Sequence, residues 1–166
     1  TEDQRKARNA ARLAECYPTF RERIAAVIAD MEAEGYRPRI QDGYRTPAAQ
    51  LVAYKSGHSK LRWGFHNVTG ADGTPEALAV DLLDDDHPLA SAPAYLLRLA
   101  RAAWEHDLLT GIQWGLPMSM RAGVEAAIVG SGPNGGPVPA VKLGWDPTHI
   151  EPVGTARDAG YGWRPT

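Results

Sequence analysis

The sequence predicts a small single-domain fold of the α+β class. Three observations carry this expectation. The chain has 166 residues, enough for one good core and too few for two ordinary domains. Apolar residues recur at helical spacing in some stretches and form short runs bounded by turn residues in others. These two kinds of element follow one another without the regular alternation that a doubly wound parallel sheet requires.

The elements can be justified in order. Residues 1–35 read as N-terminal helices: Ile24, Val27, Ile28 and Met31 lie three and four apart, Thr19 and Glu22 have the spacing of a capping box, and Gly35 stops the run. Tyr36 to Tyr44 reads as extended chain interrupted by Pro38. Thr46 and Pro47 supply an N-cap and a first-turn proline for a helix that reaches about Ser56 and is closed by Gly57. Leu78 to Leu83 is a short apolar run, expected as a buried strand, that leads into Asp84, Asp85 and Asp86. A helix from about Ala94 to His106 offers Leu96, Leu97, Leu99, Ala100, Ala103 and Trp104 as its inward face. Ile112 to Gly115 reads as another short strand, and Met118 to Val129 as a helix that Gly123 weakens by about 1 kcal/mol relative to alanine. Gly130 to Pro139 is a loop by composition, and residues 153–166 form a C-terminal tail.

Charge and composition exclude some functions. Eighteen basic residues against twenty acidic ones give a formal charge of -2, so there is no overall pull towards nucleic acid or an anionic membrane. No apolar run reaches membrane-spanning length, and Thr1 to Ala14 is polar and charged rather than signal-like, so any export is expected to depend on something outside this chain. The lone cysteine, Cys16, is expected to serve as a small buried hydrophobe.

Several residues carry possible chemistry. Taken together, His66, Asp81 and the run Trp145-Asp146-Pro147-Thr148-His149-Ile150-Glu151 read as one metal site. Two imidazoles and a carboxylate can hold a zinc ion and leave a position open for water, with Asp146 as a spare acid beside it. Each part alone is weak. A lone histidine such as His66 is more often a hydrogen-bonded core or surface residue, and Asp-x-x-His is common by chance. Asp81 amid Leu78, Ala79, Val80, Leu82 and Leu83 needs a partner if buried, although a strand-end acid at the surface is the plain alternative. Pro147 requires a turn rather than a regular helix to bring Asp146 and His149 together. Arg45 can clamp a substrate carboxylate or carbonyl, or form a surface salt bridge. Glu151 lies at alternate spacing from His149 and can orient that ligand. His58, His87 and His106 have no partner at useful spacing and read as surface residues; Tyr36, Trp63, Trp114, Trp145, Tyr161 and Trp163 read as core or groove walls.

The ordered segments GYRTPAAQ (Gly43 to Gln50), YKSG (Tyr54 to Gly57), His66-Asn67, LAVDL (Leu78 to Leu82), GIQWG (Gly111 to Gly115) and WDPTHIE (Trp145 to Glu151) resemble the M15 zinc peptidases over roughly residues 36 to 152. The resemblance implies a central antiparallel sheet flanked by helices, one zinc in a cleft, and peptidoglycan stem peptide as substrate for a chain expected to act as a monomer. It also implies that His66, Asp81 and His149 are the zinc ligands, Asp146 the catalytic base and acid, and Arg45 the residue that binds substrate or steadies the oxyanion. The aspartate of Asp-x-x-His is similar to the endolysin-type L-alanyl-D-glutamate peptidases, which points to cleavage between L-Ala and D-Glu. The alternatives are a D,D-carboxypeptidase that trims terminal D-Ala, and a wall-binding module with a non-catalytic zinc, which would have no need of Asp146. Action at the cell wall or in the periplasm is expected, reached by phage lysis or by an export route outside this chain.

Three departures from the family's usual pattern stand out. The spacing from His66 to Asp81 is longer than usual, and the surplus, roughly Val68 to Glu76, reads as an inserted loop at the cleft rim. Gly64 stands where the family usually has serine, and Ala77 where it usually has glycine.

Overall fold

The computed structural model of the chain describes residues 1–132 and 137–154. The tail beyond 154, with Tyr161 and Trp163, and part of the Gly130 to Pro139 loop lie outside the described residues. Five helices, α1 (Glu2–Ala14), α2 (Pro18–Ala33), α3 (Pro47–Lys55), α4 (Pro93–Glu105) and α5 (Met118–Gly130), accompany four strands, β1 (Pro38–Asp42), β2 (Val80–Asp84), β3 (Leu108–Gly111) and β4 (Asp146–Pro152). The strands form one antiparallel sheet in the order β1-β2-β4-β3. The expected α+β class and antiparallel sheet are therefore present.

One face of the sheet is the core. Val80, Leu82, Leu108 and Ile150 bury their side chains with Phe20, Ile24, Val27 and Met31 of α2 and Leu97, Leu99, Ala100 and Ala103 of α4. Cys16 belongs to this cluster, only 1% exposed, and burial pushes its thiol pKa up to about 12, so it behaves as the small hydrophobe expected. Residues of β2 alternate, with Val80, Leu82 and Asp84 buried and Asp81 and Leu83 less so. Asp81 thus points away from the helical layer, which leaves the opposite face of the sheet for polar groups.

Helix α1 protects the β1 edge. Asn9 accepts from the Ile40 backbone N–H at 2.8 Å and donates to the Pro38 carbonyl at 3.0 Å, while Arg8 donates to the Ile40 carbonyl at 2.9 Å. These bonds satisfy edge groups that would otherwise be free to pair with another strand. Pro38, expected as an interruption, begins the strand, where a missing N–H is tolerated at an edge.

Some local expectations are corrected. Helix α2 starts at Pro18 with Tyr17 as its N-cap and no side-chain cap, because proline at the first turn sets the start ahead of Thr19; the Thr19–Glu22 capping box does not form. Ile112 to Gly115 is not a strand. The third strand lies earlier, at Leu108–Gly111, and the chain then turns, ending with Gly115 at φ +76°. Ile112 is buried, 2% exposed, so its apolar character reflects core packing of a turn rather than strand pairing. By contrast, Thr46 caps α3 through Ala49 N–H as its sequence indicates. No described helix is long and apolar enough to cross a membrane.

Candidate metal centre

The register of the sheet builds the first half of the site. Asp81 of β2 sits directly opposite His149 of β4, so both side chains leave the same face. His149 Nδ1 lies 3.3 Å from Asp81 Oδ1. The second imidazole comes from a single 3-10 turn, Phe65–Asn67, between α3 and β2. His66 Nε2 lies 3.6 Å from Asp81 Oδ2, and the two rings stand 5.2 Å apart at 75°.

Backbone contacts fix the His66 ring. Its Nδ1 is 2.7 Å from the Gly43 carbonyl, which can only accept, so Nδ1 carries a proton and Nε2 is the ring nitrogen that faces Asp81. Asn67 ties the turn down by accepting from Gly64 N–H at 2.8 Å and donating to the Arg45 carbonyl at 2.6 Å. On the other ring, Glu151 lies 4.0 Å from His149 Nε2, the orienting position expected from its alternate spacing.

One nitrogen from each of His66 and His149 and one oxygen from Asp81 all lie within 4.8 Å of one another, and these three can hold a metal ion. Metal–ligand bonds of about 2.0–2.1 Å in a tetrahedral site put neighbouring donors ~3.3 Å apart, close to the two Asp81 separations. Burial works to raise the Asp81 pKa, but hydrogen bonding from His149 and then His66 overcomes it and holds the carboxyl well below the usual range. For His149 burial works to lower the pKa, and Asp81 and Glu151 together push it up to about 10. A metal would therefore displace a proton from His149.

Asp146 reaches the same place by an irregularity. Residues three apart on a regular strand face opposite sides, yet Asp146 Oδ2 is 4.0 Å from His149 Nδ1. The β3–β4 register shifts between Thr110, opposite Ile150, and Gly111, opposite Asp146, which re-aims the start of β4. The expected turn is thus a shifted stretch of strand. It depends on two close backbone approaches: a Cβ on Gly111 would lie 2.2 Å from the Asp146 carbonyl oxygen, and one on Gly144 2.5 Å from Trp114 N. Burial, with repulsion from Asp81, raises the Asp146 pKa.

Arg45 faces the cluster from the β1 side. Its Nη2 donates to Asp42 Oδ2 at 2.6 Å, its Nη1 to Gln50 Oε1 at 2.9 Å, and Nη2 lies 4.0 Å from Asp81 Oδ2. Gln50 is buried and donates to Ser59 Oγ and the Leu61 carbonyl, joining α3 to the segment before His66. Sequence reasoning gave neither Asp42 nor Gln50 a role; the available signals were the place of Gln50 at the end of the GYRTPAAQ motif and that of Asp42 three residues before Arg45.

These residues line a cleft of about 480 Å³. Trp114, with its ring 5.0 Å from that of His149, and Trp145 form part of its wall, as does the exposed His58, whose Nδ1 pairs with Ser56 Oγ at 2.8 Å. His106 is also partnered, 2.7 Å from Asp30 Oδ2, so two of the three remaining histidines are less isolated than their spacing indicates. The insert of Val68 to Glu76 contributes nothing to the cleft wall. It folds back on itself through a Thr69–Pro75 bridge and a Gly70 N–H bond to the Thr74 carbonyl, and Ala77, the residue after it, bridges to Cys16. A second cavity, about 410 Å³, lies beside α4 and α5, but its Glu34 and Arg98 are paired with each other and no metal-ligating cluster adjoins it among the described residues.

No known family profile matches the chain, and no curated protein matches it. Among solved structures, the chain is similar to the crystal structure of Serratia marcescens L-Ala D-Glu endopeptidase ChiX. The two share this fold. The TM-score is 0.55 and the identity 18%, over 92% of this chain and 90% of that one.

Proposed function

We propose that the protein is a zinc-dependent peptidase of the peptidoglycan stem peptide that hydrolyses the bond between L-Ala and D-Glu. The observation that carries this reading is the convergence of His66, Asp81 and His149 with a fourth acidic group, Asp146, beside them in an open cleft. Support comes from the M15-like motifs, which coincide with the site residues, and from the fold shared with an L-Ala D-Glu endopeptidase.

His66, Asp81 and His149 would hold a zinc ion, which when bound would supply Lewis-acid chemistry to a water and a scissile carbonyl. Asp146 is the base that takes the proton from that water and returns it to the leaving amine. Its raised pKa makes it the better acceptor in the first half of that exchange. Among the described residues Arg45 donates one N–H to Asp42 and one to Gln50, which leaves others of its five to donate to the developing oxyanion. Because both partners are fixed by the protein, the guanidinium is oriented before substrate arrives. A module that only bound the wall would have no use for Asp146. On this reading the protein acts at the cell wall.

Mass spectrometry of purified peptidoglycan digested with and without chelator tests the proposal. New D-Glu amino termini, lost with chelator and restored by zinc, are the expected products. Release of free D-Ala instead would assign a D,D-carboxypeptidase, and binding to walls without any soluble product would remove the hydrolase reading.

A further inference from the structure

The cleft has two basic side chains in its wall among the described residues, Arg45 and Lys60. They are held very differently. Arg45 is engaged by Asp42 and Gln50. The Lys60 ammonium meets no carboxylate among the described residues; it lies over the Trp145 ring, 4.3 Å from the centroid. A cation–π contact positions an ammonium without neutralising it, so its charge stays available to a ligand. The contact also places that charge beside the residue next to Asp146 in the chain, at the exposed mouth of the cleft.

The acids of the cleft, Asp81, Asp146 and Glu151, are gathered around the metal centre. An anionic substrate therefore needs a positive anchor away from them, and Lys60 is the one free to serve. Glutamate has two carboxyl groups and a peptide continues through only one. A glutamate on the amine side of the scissile bond thus keeps a carboxyl group within a few bonds of the reacting nitrogen.

Resting on the peptidase reading above, we propose that Lys60, seated on Trp145, is a specificity-determining residue that binds this substrate carboxylate. The enzyme then discriminates a free glutamate carboxylate from its carboxamide, a neutral group of nearly the same shape. Lysine supplies a point charge here rather than a bidentate fork, so arginine should replace it in part and methionine, similar in length but neutral, should not.

The test uses two peptides identical except that the glutamate side of the L-Ala–D-Glu bond carries a free carboxylate in one and a carboxamide in the other. Affinities are measured by calorimetry at low salt with zinc-loaded full chain in an Asp146→Ala background, so that the result does not depend on cleavage. The expected preference for the carboxylate is about fivefold, the upper range for a partly exposed ion pair, and it shrinks as salt is added. Lys60→Met should abolish it, and Lys60→Arg should retain most of it. In the cleaving enzyme the same substitution should appear in KM rather than kcat. Equal affinities for the two peptides, or a preference unchanged in Lys60→Met, would overturn the proposal. Failure of the zinc-loaded protein with Asp146 intact to cut either peptide would count against the hydrolase reading, and the affinity ratio would still decide the role of Lys60.

Discussion

Asp146 lies next to His66, Asp81 and His149 but outside their group: those three offer donor atoms that all lie within 4.8 Å of one another, and Asp146, whose Oδ2 is 4.0 Å from His149 Nδ1, is not among them. On the proposed reading that separates holding the metal from the chemistry. Asp146→Ala is therefore expected to leave zinc content unchanged and reduce turnover by roughly 10²–10⁴-fold, the usual worth of a positioned general base. Near-normal turnover in that variant would remove Asp146 from the chemistry. The residue types and their order made these four positions and Arg45 visible in the sequence. Gln50, Asn67 and Trp114 could be read as motif members, but not as the buried tether of Arg45, the clamp on the His66 turn and the wall against His149. The last two depend on contacts across tens of residues, which spacing along the chain does not encode.

Among elements, the pairing of β3 with β4 matters most, because its shifted register turns Asp146 towards His149. Gly111 permits the close approach that makes this possible. Gly111→Ala is expected to force the strands apart, cost about 1–3 kcal/mol of stability as an overpacked site, and lower kcat although no reacting group has changed. Thermal melts and steady-state kinetics check this together, and a variant with unaltered melting and unaltered kcat would contradict it. Sequence patterns revealed helices with strong punctuation, such as α3 with Thr46, Pro47 and Gly57, because local chemistry decides where those helices begin and end. They misplaced β3, where a buried turn at Ile112 mimics a strand. They also missed the register shift, since the close contact of Gly111 with Asp146 is formed only when the strands meet.

Across the whole molecule, the helical layer stabilises the fold on one face of the sheet while the other carries a cluster of ionisable groups whose states depend on each other. Asp81, with its pKa held below the usual range, contributes stability above roughly pH 4 that is lost on acidification through its folded value. His149, raised to about 10, contributes stability that is complete below about pH 6.5 and lost as pH rises through 10. In chelator, the melting temperature is therefore expected to fall between about pH 6.5 and pH 10. Saturating zinc, which requires the deprotonated imidazole, should flatten that fall. Calorimetric scans at several pH values in chelator and in zinc measure it, and a flat profile in chelator would contradict the Asp81–His149 coupling. Fold class and candidate donors were legible in the sequence at this scale; the coupling was not, because it arises from a strand register. The most direct test of the account is elemental analysis of the purified chain after zinc loading and desalting, alongside His66→Ala, Asp81→Ala and His149→Ala. One equivalent of zinc in the parent chain and a clear loss in each variant is the expected result, whereas undiminished zinc in all three would show that the cluster is not the metal site.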